Sequence, residues 1–533
     1  MSSFTVRRLA LATTALALTG APYAPANAAL CTWSGGAGDW SNAAKWSCGG
    51  VPGSGDSIHI DGQGNLTSAV SVTNTQYIGN VTIDSGDSLT IANATLGLYN
   101  SAFVNNGAVV IGSGSTLVGL SGSTVFSGSG AITLNDVGSG AYLYTSNGTQ
   151  MTFGVGQTIS GAGYIGRDQG VTINNGIINA NAAGAYALNL DAQGGSGGIG
   201  AGNGVGANGS SSFLNTGLLE ATNGGTLNFI SGLYENQGAG SILASGAGST
   251  VVLGNDVRIL GGTITGSNGG AINALSGTQY LDSVTLGGGT TFTIANDVVR
   301  FDNTLTNGGT IAIGASAQLV GESPVLTIAG GNVTLAGNNS YLYNTNGTKM
   351  TLTSGTVVSG AGYVGQDQGV IVNNGTINAN LNGQTLNLDA QGGSGGIGIN
   401  NGVGTNGNSA FLNTGVLEAT GGATLNFISG LYENQGNGAL LANGTGSSIL
   451  LSNDVRILGG TITGSGGGAV NALSGTQYLQ GVTLGSGTPF AISSDVVRIS
   501  ATAANGGLVN NGTITISNGG ILVGESATTA LAG

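Results

Sequence analysis

Short apolar runs follow one another along this chain from residue 31 onward, and Gly or Asn separates almost every neighbouring pair. Residues 109–111, 131–134, 171–173, 214–219, 226–229, 257–260, 263–265, 284–286 and 291–294 are such runs, with β-branched or aromatic content. Their length suits strands and is too short for ordinary helices. Asn-Gly steps at 106–107, 175–176, 374–375 and 511–512 predict turns, because both residues tolerate positive φ. No apolar period of 3.6 residues competes with this strand–turn grammar.

The grammar repeats at two scales. The segment 142–279 returns about 198 residues later: LNFISGLYENQG stands at 227–238 and 425–436, and NDVRILGGTITGS at 255–267 and 453–465. Large repeats are therefore expected at about 100–298 and 299–497, with the start of a further one near the C-terminus, where LVGES (319–323) recurs at 522–526. Inside each repeat a finer echo separates Asp256 from Asp297, and Asp454 from Asp495, by 41 residues. Two coils of about 20 residues explain that interval. The predicted fold is all-β: a right-handed parallel β-helix through 57–533, stacked as about 25 turns in a rod on the order of 120 Å long. A β-sandwich or a string of small β domains is the rival. Recurrent turn Asn residues are expected to pass side-chain hydrogen bonds along the rod.

Residues 1–28 change the picture by giving an address. Arg7 and Arg8 precede a Leu/Ala-rich run ending near Gly20, and Ala26-Asn27-Ala28 supplies a small-x-small cleavage pattern. This reads as a signal peptide, its apolar core being too short for a bilayer span. The remaining 505 residues carry seven basic groups against 22 acidic ones, and the whole chain contains 106 Gly. So few cations argue against nucleic acid and against a polybasic grip on lipid.

All three Trp residues, Trp33, Trp40 and Trp46, fall between the only two Cys, Cys31 and Cys48. Residues 29–56 are expected to form an N-terminal cap, with an oxidised Cys31–Cys48 pair closing a short loop worth about 3 kcal/mol. Two thiols and the lone His59 make an incomplete metal set, so no metal and no cofactor is assigned.

The string CTWSGGAGDWSNAAKW (31–46) followed by VPGSGD (51–56) resembles the start of bacterial autotransporter passengers and related large surface proteins. The Asn-Gly/strand repeats downstream resemble their β-helical passenger region. That resemblance implies a secreted or cell-surface location, an outer-membrane translocator, and a role in adhesion, aggregation or biofilm formation. The family's C-terminal β-barrel is not legible in these residues, so either the chain is a fragment or a separate exporter handles it.

Candidate chemistry is sparse. Arg167-Asp168-Gln169 becomes Gln366-Asp367-Gln368 in the second copy, which favours a turn role over catalysis. Asp256 with Arg258, and Asp454 with Arg456, read as local charge compensation beside a strand. Asp191 and Asp389 each open a glycine-rich stretch, but a calcium nonapeptide pattern is absent; these stretches are expected to bulge as loops at corresponding heights. The functional expectation is an adhesin-like protein with no catalytic residues. It would contact a host or neighbouring cell surface, an extracellular glycan or itself. A structural stalk is the alternative, and a polysaccharide-degrading β-helix enzyme a third reading.

Overall fold

The computed structural model describes residues 28–61, 67–99, 101–405, 407–500, 506–525 and 531–532; the signal-peptide segment lies outside them, as does part of the expected C-terminal repeat start. The chain winds as a parallel β-solenoid of about 21 turns. Each turn generally contributes three short strands, and every strand pairs in parallel with its counterpart one turn on. Leu89 pairs with Val109, Val109 with Ile132, Ile132 with Ile159, and Ile159 with Ile178. All five are fully buried. Such a column removes one aliphatic side chain per turn from water, each worth roughly 1.5–3 kcal/mol.

The rod is shorter than the sequence suggests, on the order of 100 Å at about 4.8 Å per turn. Turn length is uneven. Leu30 pairs with Ser57 and Thr172 with Phe213, so single turns absorb 27 and 41 residues. The 41-residue echo does span two turns, but the register is 42: Val257 pairs with Gln279, and Gln279 with Val299. Asp256 consequently adopts φ 58° at the surface, whereas Asp297 is buried.

Strand alternation is stricter than the amino-acid types reveal. In Thr250–Leu253 and Thr291–Ile294 the second and fourth residues are buried while their neighbours face outward. Thr and Val occupy outward positions, so an alternating element reads as a uniformly β-branched run. Two expected segments also change. The run 214–219 splits into Phe213–Asn215 and Leu218–Ala221, and the run at 226 continues round a corner as Thr226–Asn236. Gly232 makes that corner at φ 107°, where a Cβ would meet the Ala192 methyl at 2.7 Å.

The expected amide ladder is present, inside the rod. Asn174 Nδ2 donates to Asn215 Oδ1 at 2.8 Å, and Asn215 Nδ2 to Asn236 Oδ1 at 2.8 Å. The second copy repeats it through Asn373, Asn413 and Asn434. Neutral amides donate and accept along the same column, so burial leaves little hydrogen-bonding capacity unmet.

At the N-terminal end the parallel ladder begins at Leu30–Trp33, which pairs with Ser57–Ile60, rather than at residue 57. Cys31 and Trp33 point inward as any later strand's residues do. The far edge of this first strand is closed by chain running the other way. Trp33 and Trp46 form an antiparallel bridge, Ser34 N–H donates to Lys45 O, and Ser47 N–H donates to Thr32 O. A disulfide joins Cys31 to Cys48 and anchors that return segment. Trp46 meets Trp33 and Trp40 edge-on at 4.9 and 5.1 Å, and all three rings are buried. An antiparallel cover uses up donors and acceptors that another strand edge would otherwise recruit. Among the described residues no helix is long and apolar enough to cross a membrane.

Candidate functional site

Two lateral loops, 192–212 and 390–410, leave the rod at equivalent places in the two copies while the ladder continues beneath them. Each folds back on itself through an antiparallel bridge, Val205 to Ser211 and Val403 to Ser409. Their roots are fixed by buried polar groups. The Tyr234 hydroxyl donates to Leu190 O at 2.8 Å and accepts from Ala192 N–H; Tyr432 does the same with Leu388 and Ala390. Burial pushes both phenols above their ordinary range.

Glu235 and Glu433 reach from the wall into the loops. Glu235 accepts from Ala207 N–H, Ser211 Oγ and Gln237 Nε2. Glu433 accepts from Thr405 N–H, Thr405 Oγ, Ser409 Oγ and Gln435 Nε2. Burial opposes ionisation of Glu433, but these donors outweigh it and hold the carboxyl below the usual range. The glycines opposite are obligatory: a Cβ on Gly206 or Gly404 would come within 1.8 Å of the Glu235 or Glu433 carboxylate.

Asp168 and Asp367 accept from Gly194 and Gly392 N–H at 2.8 Å, both with positive φ, in keeping with the turn role read from sequence. Their neighbours Asp191 and Asp389 have raised pKa values, through burial first and then the charge of Asp168 or Asp367. Arg167 lies over Tyr142 and Tyr144, 4.8 and 5.5 Å from the ring centres. That stack joins residues more than 20 positions apart and is not legible in the linear chain.

Between each loop and the wall runs a groove, lined by Thr149, Val171 and Val205 among others in the first copy and by Thr348, Val370 and Val403 in the second; the first-copy loop borders a further groove. It encloses about 340 Å³ and is lined by Ser196, Asn208, Ser210, Leu233, Arg258, Tyr280 and Asp282 among others. The Arg258 guanidinium stacks 4.8 Å from the Tyr280 ring centre. Its charge partners are not the expected Asp256 but Asp302 at 3.1 Å and Asp282 at 3.9 Å, on the next two turns. Likewise Asp454 does not pair with Arg456; its carboxylate accepts from Ser394 N–H and Oγ in the loop. The reason is geometric: contacts between turns join residues about 20 positions apart, a spacing that local reading passes over.

His59 is also less isolated than its sequence neighbourhood suggests. Its Nε2 lies 2.9 Å from Asp84 Oδ2, and one donor atom from each of His59, Asp61 and Asp84 falls within 4.8 Å of the others. Asp84 follows a strand that pairs with Ser57–Ile60 from the next turn. Three half-exposed N/O donors could hold a divalent cation only with other ligands completing its shell.

No protein-family model matches the chain, and no curated protein matches it. Among solved structures, the chain is similar to the crystal structure of a TibC-catalyzed hyper-glycosylated TibA55-350 fragment. The two share 12% identity with a TM-score of 0.18, covering 81% of this chain and 100% of the other.

Proposed function

We propose that this protein acts by extended, non-catalytic contact outside the cell, in attachment or self-association. The observation that carries the reading is the duplication of a loop and its groove along one rod. Repeated weak sites on a stiff scaffold gain avidity that no single site has. The Cys31–Cys48 disulfide supports an oxidising location, since such bonds persist mainly after export. Asp168, Asp367, Glu235 and Glu433 all take loop donors, which favours a structural use of these loop-root carboxylates. The test is deletion of the gene segment encoding the rod, followed by surface attachment and cell–cell aggregation assays. Both should fall. Unchanged values in both, together with polysaccharide cleavage by the purified protein, would overturn the reading in favour of an enzyme.

A further inference from the structure

The repeat and the turn of the coil are out of step. Each face of the coil is a column of strands paired turn to turn, so the pairings show which face a strand lies on. Phe213–Asn215 closes the first loop. From it the column climbs in eight pairings, by way of Val257–Leu260 and Gln318–Gly321, to Thr385–Asp389. That strand is the counterpart of Leu188–Asp191, which precedes the first loop, and not of Phe213–Asn215. The true counterpart, Phe411–Asn413, comes one strand later in the chain. One repeat therefore fills about 8⅓ turns and about 40 Å of rod. The face on which the first loop ends is the face from which the second loop starts.

The grooves follow the strands. Gln150 and Val171 line the first, on strands that pair onward to Phe213–Asn215. Lys349 and Val370 line the second, on strands that pair onward to Phe411–Asn413. The two grooves thus open on successive faces of a three-sided coil, about a third of a revolution apart. Their volumes are about 190 and 110 Å³, and neither lining holds a carboxylate. Gln193 and Asn203 of the first recur as Gln391 and Asn401 of the second. Asn203, Asn401 and Gln391 each give an N–H to a neighbour. The carbonyl oxygens of all four amides accept nothing among the described residues. Such an oxygen calls for a donor, which a sugar hydroxyl is and a carboxylate is not. The valines beside them suit the C–H face of a sugar ring. The 22 acidic residues of the chain repel anionic polymers.

We propose that the chain is a cross-linker: each groove takes a neutral, hydroxyl-rich glycan, and the two glycans stand on different surfaces. This rests on the contact reading and names its ligand class and mode. A flat surface laid against one face meets one groove, while the other opens on the next face about 40 Å along the rod. Avidity on one surface is lost where geometry forbids joint engagement, whereas bridging needs only that both grooves stay open.

The experiment exposes the purified protein to flat chips and to beads carrying mannotriose, maltotriose or lactose, with sialyllactose as the acidic comparison. At least one neutral sugar should be bound on the chip and have its beads agglutinated. Gln193→Ala with Asn203→Ala disables the first groove, and Gln391→Ala with Asn401→Ala the second. Either double variant should lose agglutination titre about tenfold or more. On the chip, the dissociation phases of the two variants together should reproduce those of the parent protein. Circular dichroism confirms the fold of each, the substituted side chains being groove-lining rather than core. Four results would each overturn the proposal: no neutral sugar bound, sialyllactose bound equally well, agglutination kept by either variant, or a parent protein leaving the chip about tenfold more slowly than both variants. Attachment and aggregation lost on deletion of the rod, with no sugar bound, would overturn the cross-linker and leave the contact role standing. Agglutination by the purified protein, with both cell assays unchanged on deletion, would do the reverse.

Discussion

The strands Thr226–Asn236 and Thr424–Asn434 carry the same eleven residues and the same burial pattern, yet the surfaces beside them differ. Inside the rod the amide ladders are kept, Asn174–Asn215–Asn236 and Asn373–Asn413–Asn434 matching to 0.1 Å, while apolar positions exchange among themselves, Phe153 for Leu352 and Phe301 for Ile499. Outside, Asp282 has become Gln480 and Asp302 has become Ser500, Arg167 has become Gln366, and Gln150 has become Lys349. An inward residue answers to neighbours in the turns above and below, so a change strains three turns at once. An outward residue answers mainly to water. The duplicated unit therefore keeps its buried amide columns and its register while its two outer faces vary independently.

The sharpest way to break the comparison is from the inside. Asn215→Asp and Asn413→Asp each place a charge in a closed amide column, and each should destabilise its own copy by about 3 kcal/mol or more. Chemical denaturation with hydrogen exchange should show equal losses. Unequal losses would mean that the copies are less alike internally than their geometry. Cys31→Ser sets the sealed N-terminal edge against the ordinary turns. A loss of about 3 kcal/mol is expected there, seen as faster exchange in Leu30–Trp33 and Ser57–Ile60 with both repeat copies unaffected.

The loops should respond more mildly. Glu433→Gln ought to release the loop 390–410 by about 1–3 kcal/mol, read as faster exchange at Thr405. Acid should act the same way: the Glu433 pKa is depressed in the folded chain, so its contribution is full above the ordinary Glu range and fades as pH falls through the lower folded value. Asp389 runs the other way. Its raised pKa means that its protonated form favours the fold, a contribution present below the ordinary Asp range and lost as pH rises through the folded value. Slower exchange around Asp389 on acidification, while Thr405 speeds up, would separate the two groups. Smallest of all, Arg258→Gln should cost about 0.5–1 kcal/mol by leaving Asp282 and Asp302 stacked without a cation. Arg456→Gln, with no ion pair to lose, should change the denaturation midpoint less.

Much of the scaffold was legible without coordinates. Short β-branched runs, Asn-Gly turns and nested repeats are local properties, and a solenoid is built by stacking local units, so pattern led directly to fold. The lateral loops were legible for the same reason, as glycine-rich interruptions recurring at one place in each copy. What the linear chain could not show is which outward side chains meet. Arg258 finds Asp302 from 44 positions away, His59 finds Asp84 from 25, and Glu433 reaches Thr405 from 28. Those partnerships depend on turn lengths that vary from about 20 residues to 41, and a one-residue shift moves a side chain to the opposite face. Sequence alone therefore determined the repeating coil and its apolar interior, because these follow from composition and period. Only the tertiary register decided which charges are answered across turns and which, like Arg456, meet a neutral amide instead.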